Sequence, residues 1–280
     1  MACTMFGAID VGSYEINLKI YELSARRGIR EINHVKHRIE LGKDTYATGR
    51  IGSAMVDELC LVLQDFQRIM KEFGVEQYRA CATSAIRETK NMLILLDRIY
   101  QRTGIRLEVL SNSEQRFLGY KSIAYNSERF QQIIEKGTAI VDVGGGSIQI
   151  SLFDKDNLVT TQNIRLGTLR LRERLSDVAQ RTIRYSDVLE EIMNNELRTY
   201  RRLYLKDRNI RYLMLVGDYI DGINRYIHRD SKGDQISREE FITFYDTFMQ
   251  KDPKVMMEEL GISQENSSLM LPTLVIYKRL

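Results

Sequence analysis

The sequence predicts an α/β protein of two related domains around a shared cleft, each a mixed sheet covered by helices. Three observations predict it. First, residues Ala139 to Phe153 place apolar and β-branched runs on both sides of Asp142 and the glycines Gly144, Gly145 and Gly146. That pattern reads as a strand, a tight turn and a return strand. Second, residues Ala8 to Tyr21 align with it without a gap: Asp10 on Asp142, Val11 on Val143, Gly12 on Gly144, Ile16 on Ile148, Asn17 on Gln149 and Leu18 on Ile150. The spacing far exceeds a solenoid period, so it marks duplicated domains rather than stacked repeats. Third, strand and helix patterns then alternate in the order β-β-β-α-β-α-β-α, which makes a mixed sheet with covering helices.

In chain order, Glu31 to Leu41 reads as a third strand and Gly42 to Gly49 as a loop. Ser53 is placed to cap a helix running to Phe73, with Met55, Leu59, Leu63, Phe66 and Met70 at helical spacing and Gly74 ending it. Gln77 to Thr83 is a strand, Ser84 to Lys90 a polar connection, and Asn91 a cap for the helix Met92 to Arg102. Ile105 to Leu110 is a strand, followed from Glu114 by a helix to about Tyr125. After the second hairpin, Asn157 to Ile164 supplies a third strand. Helices are expected over Leu169 to Leu175 and Tyr185 to Leu205, and a short strand over Tyr212 to Val216. Ser237 caps a helix through Met249, Asp252 starts another, and Ser268 to Leu280 is helical in pattern.

The composition excludes several classes. With 43% hydrophobic and 28% charged residues in 280, the chain is an ordinary globular protein of one or two domains. No apolar run approaches a membrane span and no charged-then-apolar signal region opens the chain. Cys3, Cys60 and Cys81 lack metal-ligand spacing; Cys60 lies within a helical pattern and Cys81 within a strand-like run, so buried free thiols in a reducing cytosol are expected. His34, His37 and His228 form no triad or metal pattern. A net charge of +3 says little about partners. Arg165, Arg170, Arg172, Arg174, Arg181 and Arg184 crowd one segment, and Arg198, Arg201, Arg202, Lys206, Arg208 and Arg211 another. Such runs suit a polyanion, but interleaved Glu173, Asp177, Asp187, Glu190 and Glu191 favour solvated helix faces with local ion pairs.

Glycines at a strand end let a backbone approach a bound group, and successive N–H donors favour an anion, phosphate above all. A plain hairpin satisfies the same pattern. Three stretches carry a more specific resemblance: Ala8-Ile9-Asp10-Val11-Gly12-Ser13, Ala82-Thr83-Ser84-Ala85-Ile86-Arg87-Glu88-Thr89-Lys90-Asn91, and Val141-Asp142-Val143-Gly144-Gly145-Gly146-Ser147. Leu110-Ser111-Asn112-Ser113-Glu114-Gln115 and Leu166-Gly167-Thr168-Leu169-Arg170-Leu171 support it. On these the chain resembles the exopolyphosphatase and guanosine pentaphosphate phosphohydrolase (Ppx/GppA) family of the actin-like superfamily. The resemblance implies two actin-like (ribonuclease H-like) domains, 1–126 and 127–280. It also implies a C-terminal return to the first domain that this sequence lacks, since it stops inside the last helix.

The resemblance further implies cleavage of the terminal phosphoanhydride of polyphosphate or guanosine pentaphosphate with Mg²⁺. Gly12, Ser13, Gly144, Gly145, Gly146 and Ser147 would line the phosphate site, Arg87 would hold a phosphate, and Asp10 and Asp142 would organise the metal through water. A hairpin-capping role for Asp142 and a structural ion pair of Arg87 with Glu88 remain open at this level. A cytoplasmic protein without membrane or nucleic-acid partners is implied, and a homodimer is admitted.

The departures matter more. The family's two catalytic glutamates fall at Gln115 and Gln149, and an amide neither takes a proton near neutral pH nor carries charge. Losing a general base typically costs about a hundredfold to ten-thousandfold. Glu114 remains beside Gln115 but points about 100° around the helix. Tyr14 and Glu15 stand where relatives carry small polar residues, and Gly217-Asp218 replaces a glycine-rich turn. Three functions therefore stay open: a ligand-binding relative with weak or lost turnover, an active phosphohydrolase using Glu15 or Glu114, and a scaffold with a filled cleft.

Overall fold

Alternation sets the first sheet. On β1 (Thr4–Val11), Gly7, Ile9 and Val11 turn inward while Asp10 turns out; on β2 (Glu15–Ser24), Ile16, Leu18 and Ile20 are fully buried between the polar Glu15, Asn17 and Lys19. The computed structural model describes the chain apart from residues 1–2, 127–129, 177–184, 207, 218, 230–234 and 264–266 and the side chains of 126 and 131. The chain forms two compact units, Met1–Ile123 and Ala124–Leu280. Among the described residues, no helix is long and apolar enough to cross a membrane.

The first unit carries a sheet in the order β3-β2-β1-β4-β5, with β3 at Gly28–Arg38, β4 at Gln77–Ala82 and β5 at Glu108–Val109. β1, β2 and β3 are antiparallel neighbours, whereas β4 and β5 run parallel to β1. Helix α2 (Ser53–Glu72) lays Leu59, Leu63, Phe66 and Met70 on the apolar face, joined by Leu95 and Ile99 of α4 (Met92–Thr103). Full burial of each such side chain stabilises by about 1.5–3 kcal/mol.

Several expectations fail here for identifiable reasons. Residues 42–49, expected as a loop, form helix α1 (Leu41–Thr48), ended by Gly49 at φ 78°. Buried Leu41 and Thr45 override the weak helix propensity of this polar stretch. The cap of α2 is Gly52, not Ser53; Asp44 Oδ2 accepts from the Gly52 N–H at 2.8 Å. Asn91 precedes α4 but makes no side-chain cap bond, because its amide pairs with both backbone groups of Ile51. The polar connection contains a short helix, α3 (Ser84–Glu88), and the strand expected over 105–110 shrinks to Glu108–Val109. Helix α5 spans Asn112–Asn126.

The second unit repeats the plan. Its sheet runs β8-β7-β6-β9, with β6 at Thr138–Val143, β7 at Ile148–Asp154, β8 at Asn157–Ile164 and β9 at Tyr212–Val216. β7 is buried at every residue from Ile148 to Phe153, as a strand covered on both faces must be. Around it lie α6 (Phe130–Ile134), α7 (Thr168–Arg174), α8 (Tyr185–Tyr200, continued by a π-helical turn over Arg201–Leu205), α9 (Ile220–Ile227), α10 (Arg238–Gln250), α11 (Pro253–Leu260) and α12 (Ser267–Arg279). Ser237 and Glu240 form the capping box of α10, and Asp252 caps α11 ahead of Pro253. Sequence reading missed α6 and α9.

The duplication extends beyond the hairpins. Ile39-Glu40-Leu41-Gly42 and Ile164-Arg165-Leu166-Gly167 each follow the third strand and enter a helix, with Leu41 N donating to Ile39 O and Leu166 N to Ile164 O, both at 2.8 Å. The arginine-rich segments divide. Arg172 pairs with Glu173, whereas Arg198, Arg201 and Arg208 donate to amide or carbonyl oxygens of Asn195, Arg279 and Tyr204 rather than to carboxylates. Arg181, Arg184 and Asp177 lie outside the described residues. Cys60 is buried as expected, but Cys81 is half-buried and Cys3 exposed; all three are free thiols.

Candidate functional site

The first turn joins β1 to β2. Gly12 N donates to Glu15 O at 3.0 Å, and a Cβ on Gly12 would stand 2.8 Å from that oxygen, so the turn requires glycine. Ser13 faces Tyr46 of α1 and Ser84 of α3: its Oγ lies 2.7 Å from the Tyr46 hydroxyl and 2.9 Å from Ser84 Oγ. The last two hydroxyls are 3.0 Å apart, closing a triangle. Tyr14 does not crowd the turn. It is buried, with the Arg38 guanidinium 5.0 Å from its ring centre. Glu15 is engaged as well: Asn17 Nδ2 donates to its Oε1 at 3.0 Å and Lys36 Nζ lies 3.3 Å from the same atom. Lys36 thus offsets the carboxylate charge beside the turn. His34 Nε2 lies 3.1 Å from Asn17 Oδ1, extending the network along the outward face.

Beyond β4, Arg87 is half-buried and its Nη1 donates to Leu110 O at 2.6 Å and contacts Gln115 Oε1 at 3.4 Å. Burial pulls its pKa down, opposed by Glu88 and Tyr46. The expected phosphate clamp and one expected catalytic position are thus neighbours. Glu114 has another occupation. Its carboxylate accepts from Ser111 N at 2.8 Å while Ser111 Oγ accepts from Glu114 N at 3.2 Å, a reciprocal cap at the start of α5. The Ser111 hydrogen bonds hold the Glu114 carboxyl below the ordinary value of 4.5. A depressed folded-state pKa contributes stability above the unfolded value that is lost as pH falls through the folded one. Glu114→Ala should therefore be less stable than the parent at neutral pH. Paired denaturant melts should show that gap closing below about pH 4.5.

The second turn, in the other unit, is built from its carbonyls outward. Gly144 N donates to Ser147 O at 3.1 Å, matching the bond of the first turn. Gly144 O accepts from Thr168 N, Gly145 O from Arg170 N and Gly146 O from Arg170 Nε, at 2.8–3.1 Å. With the carbonyls drawn toward α7, no described residue accepts from the amides of Gly145, Gly146 or Ser147, the donor pattern of an anion nest. Gly167 makes this possible: a Cβ there would lie 2.4 Å from Gly145 C, Gly145 O and Gly146 C.

Asp142 is half-buried at the end of β6, opposite Gln149 on β7 and Val216 on β9. Gln149 is 4% exposed and opposes Asn163 of β8; the side-chain oxygens Gln149 Oε1 and Asn163 Oδ1 are buried without a hydrogen-bond partner. Asp10 is exposed at the end of β1, opposite Asn17 and Cys81. No group of three His, Cys, Asp or Glu residues forms a metal cage among the described residues. A single carboxylate at a strand end suits Mg²⁺ held chiefly by water and phosphate oxygens, and each unit has one in that position, Asp10 in the first and Asp142 in the second. Asp218 lies outside the described residues.

The structure thus groups Gly12, Ser13, Arg87 and Gln115 in one unit and Asp142, Gly144–Ser147 and Gln149 in the other. Sequence reading missed Tyr46, Ser84 and Arg170 as partners of the turns. The repeated Ile-x-Leu-Gly was the signal that could have found α1, which carries Tyr46.

Comparison with known proteins identifies the family and the fold. Residues 20–280 match the model of the Ppx/GppA phosphatase family. Exopolyphosphatase 1 of Mycobacterium tuberculosis is 26% identical over 172 residues, which cover 61% of this chain and 49% of that protein. The chain spans about half the length of the curated relatives it matches. Among solved structures, an exopolyphosphatase from Cytophaga hutchinsonii is 19% identical, with a TM-score of 0.79 over 99% of this chain and 89% of that one. The Aquifex aeolicus Ppx/GppA protein is 20% identical, with a TM-score of 0.75 over 99% and 90%. The fold is that of the two-domain actin-like proteins, and the chain belongs to the Ppx/GppA phosphatase family.

Proposed function

We propose that this chain binds polyphosphate, or a polyphosphorylated guanosine nucleotide, through its two glycine turns and Arg87, and that hydrolysis of the terminal phosphoanhydride is weak or lost. The observation that carries the reading is the contact of Arg87 with Gln115. The cation and the catalytic position stand together, but the partner is an amide. Mg²⁺ at Asp10 and Asp142 would neutralise phosphate charge. The alternatives that make Glu114 or Glu15 the base are weakened, because Glu114 caps α5 and Glu15 is held by Asn17 and Lys36. Titration calorimetry with inorganic tripolyphosphate and Mg²⁺ tests the reading. Binding to the parent should fall about tenfold or more in Arg87→Ala, the usual scale for a charged hydrogen bond. Equal affinity in the two proteins would remove Arg87 from the site, and no binding in either would leave the scaffold reading.

A further inference from the structure

We propose that Tyr46 is a built-in cap on the first phosphate turn: its hydroxyl takes the place of a phosphate oxygen on Ser13 and Ser84, and ligand displaces it. The inference rests on the binding function proposed above. An oxygen 2.7 Å from Ser13 Oγ and 3.0 Å from Ser84 Oγ stands where one phosphate oxygen would receive both serine protons. Ser13 and Ser84 are each 6% exposed, so the phenol is part of what covers them.

Helix α1 is fixed independently of the phenol. Gly42 N donates to Ser13 O at 2.8 Å and Thr45 Oγ1 to Ala85 O at 2.9 Å. Tyr46 is only half-buried, and displacing its side chain would leave these two helix bonds in place. The duplicated unit shows that the helix position itself needs no hydroxyl. Counting from Gly42 and Gly167, Tyr46 corresponds to Leu171, which is fully buried, and Ser13 corresponds to Gly145. The hydroxyl triangle is thus an addition to the first turn alone. An anionic phosphate oxygen accepts about twice as strongly as a neutral phenol, so ligand outcompetes the cap but loses affinity to it.

Calorimetry with inorganic tripolyphosphate and Mg²⁺ on the parent, Tyr46→Phe, Ser13→Ala and the double variant tests this. Tyr46→Phe keeps the ring and should bind about three- to tenfold tighter, the worth of one or two neutral hydrogen bonds. Ser13→Ala in the Tyr46→Phe background should abolish that gain, an outcome a merely structural tyrosine would not produce. Binding by Tyr46→Phe but not by the parent also supports the cap. Unchanged or weaker binding by Tyr46→Phe beside a parent that binds overturns the cap and leaves the binding function standing. Binding by neither overturns both.

Discussion

Replacing Gln115 and Gln149 together by glutamate should raise Mg²⁺-dependent, single-turnover phosphate release from polyphosphate at least about a hundredfold, the lower end of what a general base supplies. The two sites would act differently. A carboxylate at 115 would stand beside the Arg87 guanidinium, 3.4 Å from the present amide oxygen, and be held ionised and oriented by it. A carboxyl at 149 would be nearly buried and opposite Asp142, in a place where the present amide oxygen already lacks a donor. Burial and like charge both raise its pKa toward the operating pH, which suits a base. The same raised pKa destabilises the folded variant at neutral pH and returns stability as pH falls. Thermal melts should show that trend. Either single change should fall well short of the pair. A folded double variant that binds tripolyphosphate yet releases phosphate no faster than the parent would show that the amides do not limit turnover.

What the sequence disclosed was the part of the molecule fixed by period and repetition. The hairpins at Asp10 and Asp142, the strand Asn157–Ile164, helix α2 and the caps at Ser237 and Asp252 all follow from alternation, helical spacing or a local side-chain bond. Arg87, Gln115 and the glycine turns were legible as a family pattern. Their present bonding was not, because it depends on partners distant in the chain. Gln115 meets Arg87 across 28 positions, and Ser13 meets Ser84 across 71. Glu114 shows the reverse error: a carboxylate beside a catalytic position looked available, while the cap that occupies it was written three residues away in Ser111. Asn91 and Ser53 were read as caps from residue type; Asn91 holds the cap position of α4 but spends its amide on Ile51, and the cap of α2 falls on Gly52. Helix α1 was lost because its propensities are poor and its burial is tertiary.

Gly167→Ala should be among the most damaging single-methyl changes in the chain. The added Cβ would meet three backbone atoms of Gly145 and Gly146 at 2.4 Å, well inside contact distance, and backbone cannot rotate aside as a side chain can. Relief requires α7 and the β6–β7 turn to separate, which lengthens the bonds from Thr168 N to Gly144 O and from Arg170 to Gly145 O and Gly146 O. Overpacking of this kind costs about 1–3 kcal/mol before the hydrogen bonds are counted. A loss of about 3 kcal/mol lowers the melting temperature of a domain this size by about 6–12 °C. The consequence for binding is separate from that for stability, because the carbonyls held by α7 are what leave the Gly145, Gly146 and Ser147 amides without an acceptor among the described residues. Below its melting temperature the variant should therefore bind tripolyphosphate at least about tenfold more weakly than the parent, a loss of roughly 1.4 kcal/mol. Leu169→Ala is the control: it removes a fully buried α7 side chain and adds no atom against the turn, and should destabilise by about 2–5 kcal/mol while leaving affinity intact. If both variants lose stability but neither loses affinity, the second turn is a structural hairpin and the anion is held elsewhere.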